Sequence, residues 1–299
     1  MTWSRISIDC VDALLMRVLT GFLICAFGLL VNAAAFVYSG LYDTAATDQH
    51  SAPVYWILKT VMRRAIGHHA QGLHVPALQD PSDIARGRVL FADHCTRCHG
   101  APGFAPGAFA LGMRPTPANL ANTGIEWPAR DLFWAIKHGL KMTGMPGWEF
   151  RLSDDDIWTI VAFVQATPYE SPRAYREALQ ASGHAMPPQQ AVATRELEPI
   201  TGEATGIGDA KRGRHTIEQY GCITCHEIPG VVGASVPVGP PLDKMGLRSF
   251  VGGVIPNTPP NMVRFLRAPK QFVPDGAMPN LGITERDARD IAAYLQSLR

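Results

Sequence analysis

Two stretches of this chain carry residue types at a spacing suited to one particular chemistry. Cys95-Thr96-Arg97-Cys98-His99 reads C-x-x-C-H, and Cys222-Ile223-Thr224-Cys225-His226 repeats it. Two thiols separated by two residues can each add to a vinyl group on one edge of a haem, and the adjoining imidazole is placed to ligate the iron. A zinc half-site or a thioredoxin-like redox pair also uses C-x-x-C. Neither fits here. No second Cys or His pair follows at short spacing, no βαβ pattern surrounds either copy, and neither use needs a histidine directly after the second cysteine. The pattern implies two covalently bound haem c groups on Cys95, Cys98, Cys222 and Cys225, with His99 and His226 as iron ligands.

The 299 residues leave room for two small domains and additional segments. A net charge of +1 gives no global bias towards nucleic acid or strongly acidic partners. Charged residues make up 18%, against about a quarter in ordinary soluble chains, and part of the shortfall sits in one apolar N-terminal run. The 28 glycines and 24 prolines suit irregular loops wrapped around a cofactor. Of six cysteines, the two motifs take four; Cys10 and Cys25 lie before or inside the apolar run, so no disulfide is expected. Haem c is attached outside the cytoplasm, in the bacterial periplasm or an equivalent space, so the motifs also imply export.

The apolar run covers residues 18–38, is free of charge and is long enough to span a bilayer as a helix. Arg5 and Arg17 precede it, and Asp43 and Asp48 follow it. The positive-inside rule then leaves the N-terminus in the cytoplasm and everything after Leu41 outside. A cleaved signal peptide is the alternative, because Asn32-Ala33-Ala34-Ala35 offers an A-x-A-like site. The run continues past that point through Phe36, Val37 and Tyr38, which favours a retained anchor.

Residues 53–70 read as an amphipathic helix, with Val54, Ile57, Leu58, Val61, Ala65 and Ile66 at helical spacing. It either lies on the membrane surface or packs on the domain that follows. His68, His69 and His74 cluster after it; with no further ligand nearby, a packed or solvated loop is expected rather than a metal site.

The remaining elements must position the two motifs. A helix over 84–94, capped by Ser82 or Asp83, delivers Cys95. A second runs over 128–138, and a third over 157–165 follows Ser153-Asp154-Asp155-Asp156, a capping serine with acids suited to the helix dipole. Residues 171–206 read as a linker with one short helix at 174–180. The second half repeats the plan: Asp209 opens a helix that carries Gly213 and delivers Cys222, a middle helix covers 261–268, and Thr284-Glu285-Arg286-Asp287 fits a capping box before a closing helix over 287–298. Each half therefore reads helix, motif, long Gly/Pro loop, helix, Met-Pro loop, helix. The expected divisions are 1–41 (cytoplasmic tail and anchor), 42–80 (amphipathic helix and connection), 81–170 (first domain), 171–206 (linker) and 207–299 (second domain).

Each half resembles a class I (mitochondrial-type) cytochrome c domain, and the whole resembles the membrane-anchored dihaem cytochromes c of bacteria. The features that carry the likeness are Gly87 before the first motif, Met145-Pro146 and the helix with Trp158. In the second half they are Gly213, Gly239-Pro240-Pro241-Leu242, Met278-Pro279 and Tyr294. The resemblance implies an all-α fold of two tandem cytochrome c domains after an N-terminal transmembrane helix. It further implies that a methionine from the loop before the last helix is the second axial ligand of each iron. Gly87 and Gly213 would let the first helix approach the last closely. The Pro240-Pro241 segment would offer a carbonyl to the His226 ring N–H, with Arg114-Pro115-Thr116-Pro117 in that role in the first half.

Met145 and Met278 match the Met-Pro loops. Met142 lies close enough to Met145 to stay open as an alternative, while Met113, Met245 and Met262 fit less well. His94 is too near the first motif to reach the opposite face of the same haem, and His138 ends a helix, where an imidazole serves the helix dipole. A thioether ligand raises the reduction potential, and two filled axial positions leave no site for oxygen or peroxide. The expected role is then one-electron transfer rather than enzymatic chemistry. The chain would be a haem carrier on the periplasmic side of a bacterial inner membrane, working between a dehydrogenase or quinol-oxidising complex and a terminal oxidase, or as a haem subunit of such a complex. A dihaem peroxidase-like enzyme is the alternative; it would need one labile sixth position, as would a haem-based gas sensor.

Overall fold

The structure is a computed structural model that describes residues 3–185, 208–233 and 238–299, with side chains from residue 12 onward. It falls into two compact units, one ending at Ala45 and one covering Ala46–Arg299.

The first unit is a single helix, α1, Trp3–Tyr38. Its stretch Asp12–Tyr38 has a mean hydropathy of 2.3. At 1.5 Å per residue it is about 40 Å long, ample for a hydrocarbon core of about 30 Å. Leu14, Val18, Phe22, Phe27 and Leu30 are all exposed. A helix apolar all round needs an apolar solvent or a protein core on every side.

The second unit opens with α2, Ala52–His69. Ile66 and, just past the helix, Ala70 are buried, and the Arg63 guanidinium lies 4.4 Å from the Trp127 ring centroid. His69 stacks on Trp134 at 5.5 Å. So α2 packs on the first cytochrome half, and of the histidine cluster His69 takes part in that packing while His68 and His74 are exposed.

Helix α3, Pro81–His94, is capped two to three residues earlier than expected: the Asp80 carboxylate accepts from Ser82 N at 2.8 Å, with Pro81 at the first helical position. The first motif forms a short turn, α4, Thr96–His99. After a long loop come α5, Leu120–Glu126, which the sequence pattern did not anticipate, and α6, Ala129–His138. Helix α7, Asp154–Ala166, starts with a full capping box between Ser153 and Asp156. Helix α8, Pro172–Ala181, covers the short helix expected at 174–180, but it belongs to the first core rather than to a linker: Tyr175 and Leu179 are fully buried there. The rest of that linker, 186–206, lies outside the described residues.

Helix α9, Ala210–Gln219, is capped by Asp209. A small antiparallel hairpin, β1 (Phe250–Val251) with β2 (Ile255–Pro256), pairs Val251 with Ile255. Helices α10 (Pro259–Arg267) and α11 (Pro269–Phe272) follow, and α12, Glu285–Ser297, closes the chain.

In both halves the first helix crosses the last at a glycine. A Cβ on Gly87 would collide with the Thr159 carbonyl, and one on Gly213 with the Asp290 carbonyl. That contact organises each core. Phe91 meets Phe163 at 5.1 Å, and Phe133 stacks on Trp158 at 4.1 Å in the first half. Ile217, Met262, Ile283, Ile291 and Leu295 are buried together in the second. The halves also touch: Ala105 and Leu111 pack against the second core, and Arg176 Nη2 lies 2.8 Å from Asp275 Oδ1.

Candidate functional site

Each motif follows the first helix of its half, which the helix-crossing glycine locks in place. In the first, α3 runs almost straight into α4, with Cys95 as the hinge residue. In the second there is one more residue between glycine and cysteine. Gly221 absorbs it at φ 66°, a left-handed conformation, before the tight turn Cys222–Thr224. Both motifs close alike: His99 N donates to Cys95 O at 3.0 Å, and His226 N to Cys222 O at 2.9 Å.

Before haem is attached, burial pushes the Cys95 and Cys222 thiols up to about 12. Both imidazoles are held below the usual histidine range, chiefly by burial, with the Ala118 and Pro240 carbonyls partly opposing the shift. A neutral imidazole is the form that ligates a metal.

The outer ring nitrogens are committed. His99 Nδ1 donates to Ala118 O at 2.7 Å, and His226 Nδ1 donates to Pro240 O at 2.8 Å. Each bond fixes the tautomer, turns Nε2 inward and makes it more basic. The second contact is the one expected from Gly239-Pro240-Pro241-Leu242. In the first half the acceptor is Ala118, just past the Arg114–Pro117 segment assigned to the role. Gly239 adds a requirement that sequence reasoning missed: a Cβ there would run into the His226 ring.

The methionines separate clearly. Met142 is 92% exposed and sits at φ 60° on the outside of its loop. Met145 is partly buried against the first core, its N–H bonded to Thr143 Oγ1 at 3.0 Å and its carbonyl to Leu140 N at 3.2 Å. Met278 likewise packs on the second core, whereas Met245 and Met262 are buried within it. His94 lies against Trp148, and His138 Nδ1 is 3.4 Å from Glu149 Oε2.

The donor set in each half is two thiols and one oriented imidazole, which is the set a haem c requires. Arg114 adds a sign of an anionic occupant: beyond the field of Glu218, its Nε and Nη2 are buried without a hydrogen-bond partner. A buried guanidinium favours a carboxylate, and haem carries two propionates. When bound, the group supplies an iron that cycles between ferrous and ferric states; the chain supplies its tethers and its ligand orientation.

A pair of glycine-locked helices delivering C-x-x-C-H, twice in one all-α chain behind an apolar helix, defines a membrane-type dihaem cytochrome c. The chain belongs to the family described as "Cytochrome C oxidase, cbb3-type, subunit III", which it matches over residues 82–164 and 208–295, more than half of its length. Among curated proteins it is similar to the cbb3-type cytochrome c oxidase subunit FixP of Rhizobium etli, at 29% identity over 44% of this chain and 45% of the relative. It is also similar to a quinohemoprotein alcohol dehydrogenase of Comamonas testosteroni, at 27% identity over 43% of this chain and 18% of that protein. The match thus spans less than half the length of either relative. No solved structure matches. The chain is an electron-transfer cytochrome with two covalently bound haem c groups.

Proposed function

We propose that this chain is the tethered dihaem subunit that feeds single electrons to a terminal oxidase from the periplasmic side of a bacterial inner membrane. One observation carries the reading: each motif histidine has its outer nitrogen tied to a backbone carbonyl, so each imidazole is fixed for one ligand position and nothing else. Met145 and Met278 complete the two irons, Met142 being turned to solvent. Filled axial positions favour outer-sphere electron transfer over bond chemistry, so the chain is not itself an enzyme. Domains 81–170 and 207–299 carry one haem each, and α1 holds them at the membrane. The oxidase is the favoured partner because the relative FixP is named as a subunit of a cbb3-type cytochrome c oxidase. The likeness to a quinohemoprotein alcohol dehydrogenase gives a second reading, in which the donor or host complex is a dehydrogenase.

The test is purification of the full chain in mild detergent from its own cells, followed by identification of the co-purifying subunits. Oxidase subunits are the expected companions. Stoichiometric dehydrogenase subunits would move the assignment to the second reading. A protein recovered alone that turns over peroxide would end both.

A further inference from the structure

Between the two haem motifs runs a continuous chain of bonded atoms, and one side chain closes it. The Ala118 carbonyl that accepts from His99 Nδ1 at 2.7 Å belongs to the peptide group joining Ala118 to Asn119. The Asn119 Nδ2 donates to Cys225 Sγ at 3.2 Å. That sulfur is the second thioether-forming atom of the other motif. The surrounding loop is seated there too, since a Cβ on Gly221 would lie 3.5 Å from Thr116 Cγ2.

Asn119 has a second task, and the two tasks use opposite ends of its amide. Its Oδ1 accepts from Ala121 N at 3.0 Å and caps α5. The cap points the NH2 group outward, at the neighbouring domain. Asp, Ser or Thr would cap as well; only the amide adds a donor that reaches the sulfur.

We propose that Asn119 is the bridging residue through which electrons pass between the two haems. This rests on the electron-transfer reading above. One electron leaves the ferrous iron of one haem and arrives at the ferric iron of the other; no bond breaks and no proton moves. Within the protein the route is imidazole, hydrogen bond, peptide, Asn119 side chain, hydrogen bond, sulfur. Tunnelling decays less steeply through bonded and hydrogen-bonded atoms than across empty space, so this route competes well with a direct jump. The donated N–H also draws electron density from the sulfur, which raises the potential of the second haem alone.

Asn119→Ser tests this in the full chain with both haems attached. Serine keeps a capping oxygen but ends one bond, about 1.3 Å, short of the amide nitrogen. Asn119→Asp keeps both the cap and the length and loses the donor. Arg176→Ala is the control, because it breaks a different contact between the domains, the pair with Asp275. A laser-triggered reductant injects one electron, and its redistribution between the haems is followed optically. Redox titration gives both midpoint potentials.

Both Asn119 variants are expected to slow redistribution severalfold and to lower the second haem's potential while leaving the first haem's in place, with unchanged melting temperature. Arg176→Ala is expected to leave the rate alone. Wild-type rates in both Asn119 variants overturn the bridge in favour of a direct jump. Equal slowing by Arg176→Ala overturns it in favour of domain docking. If the unmodified protein shows no redistribution at all, the electron-transfer reading itself fails and takes the bridge with it.

Discussion

At the scale of single residues, the chemistry rests on atoms that are held rather than merely present. Met145 and Met142 lie three positions apart, and spacing alone left both open for the first iron. What separates them is the loop: Met142 takes a left-handed conformation and faces solvent, while Met145 is anchored through Thr143 and Leu140 against the core. Met145→Leu is therefore expected to abolish the thioether–iron charge-transfer absorption of one haem and to lower its potential. Met142→Leu should leave both unchanged, and Met278→Leu should remove the absorption of the other haem. Near-infrared spectra of the three oxidised variants decide; a lost band in Met142→Leu would reverse the assignment. The two C-x-x-C-H motifs were readable from their spacing, and so were the Met-Pro loops that offer Met145 and Met278 as the proposed second ligands. Ala118 and Asn119 were not, because a backbone carbonyl has no residue signature. The Asn119-Leu120-Ala121 cap could have been noticed, but not its reach to Cys225 in the other half.

At the scale of elements, the glycine crossing sets the architecture, and the two halves brace it differently. Arg86 pairs with Asp156 near the start of α7, whereas Arg212 pairs with Asp290 one turn further into α12. Asp290 is 1% exposed and also accepts from Asp209 N at 2.8 Å, so it ties the capping residue of α9 to the closing helix. Gly213→Ala should cost about 1–3 kcal/mol, the usual range for forced overpacking, because the clash is with backbone that cannot rotate away. Thermal unfolding checks this, and an unchanged midpoint would remove the crossing from the argument. Burial raises the Asp290 pKa, but the bonds from Arg212 and Asp209 outweigh it and hold the carboxyl below its ordinary value. A depressed folded pKa means that its stabilisation is present above the unfolded value of about 3.9 and fades as pH falls below it. Asp290→Asn should melt lower than the wild type at pH 7, with the gap narrowing in that acid window; a gap independent of pH would assign the role to packing alone. The long helices were legible because their caps and stripes agree. Helix α5 was not: its seven residues hold no apolar stripe, and Gly124 lowers the local propensity. It stands because Gly124 lets it lie against the Val164 carbonyl of α7. The hairpin β1–β2 was missed for a similar reason, its strands being two residues each, although Gly252-Gly253, at φ 58° and 73°, is a turn signal. Tyr175 and Leu179 stand one turn apart in a polar stretch, too few to announce that α8 belongs to a core.

For the whole molecule, the question is which side of a membrane the two haem sites occupy and whether α1 keeps them there. Every apolar face of α1 is exposed, so in water it would be a liability well beyond the patch size that soluble chains tolerate. Arg5 and Arg17 precede the apolar run, alongside Asp9 and Asp12, and no Lys or Arg follows it before Lys59, which favours a cytoplasmic N-terminus. Haem c attachment asks for the same arrangement independently, because the thiols of both motifs must meet haem outside the cytoplasm. Two unrelated constraints, charge and covalent chemistry, thus support the proposed topology. In spheroplasts whose inner membrane is intact, added protease is expected to remove the haem-staining domains while a tag fused before Met1 survives. Haem domains protected until the membrane is permeabilised would refute that topology. The mass of the protein in the washed membrane fraction then distinguishes anchor from cleaved leader. A chain retaining residues 1–35 is expected there, since α1 continues unbroken as an apolar helix through Phe36, Val37 and Tyr38, past the A-x-A-like site. A mature N-terminus near Phe36, with the protein in the soluble periplasmic fraction, would make α1 a leader, and membrane attachment would then have to come from a partner subunit.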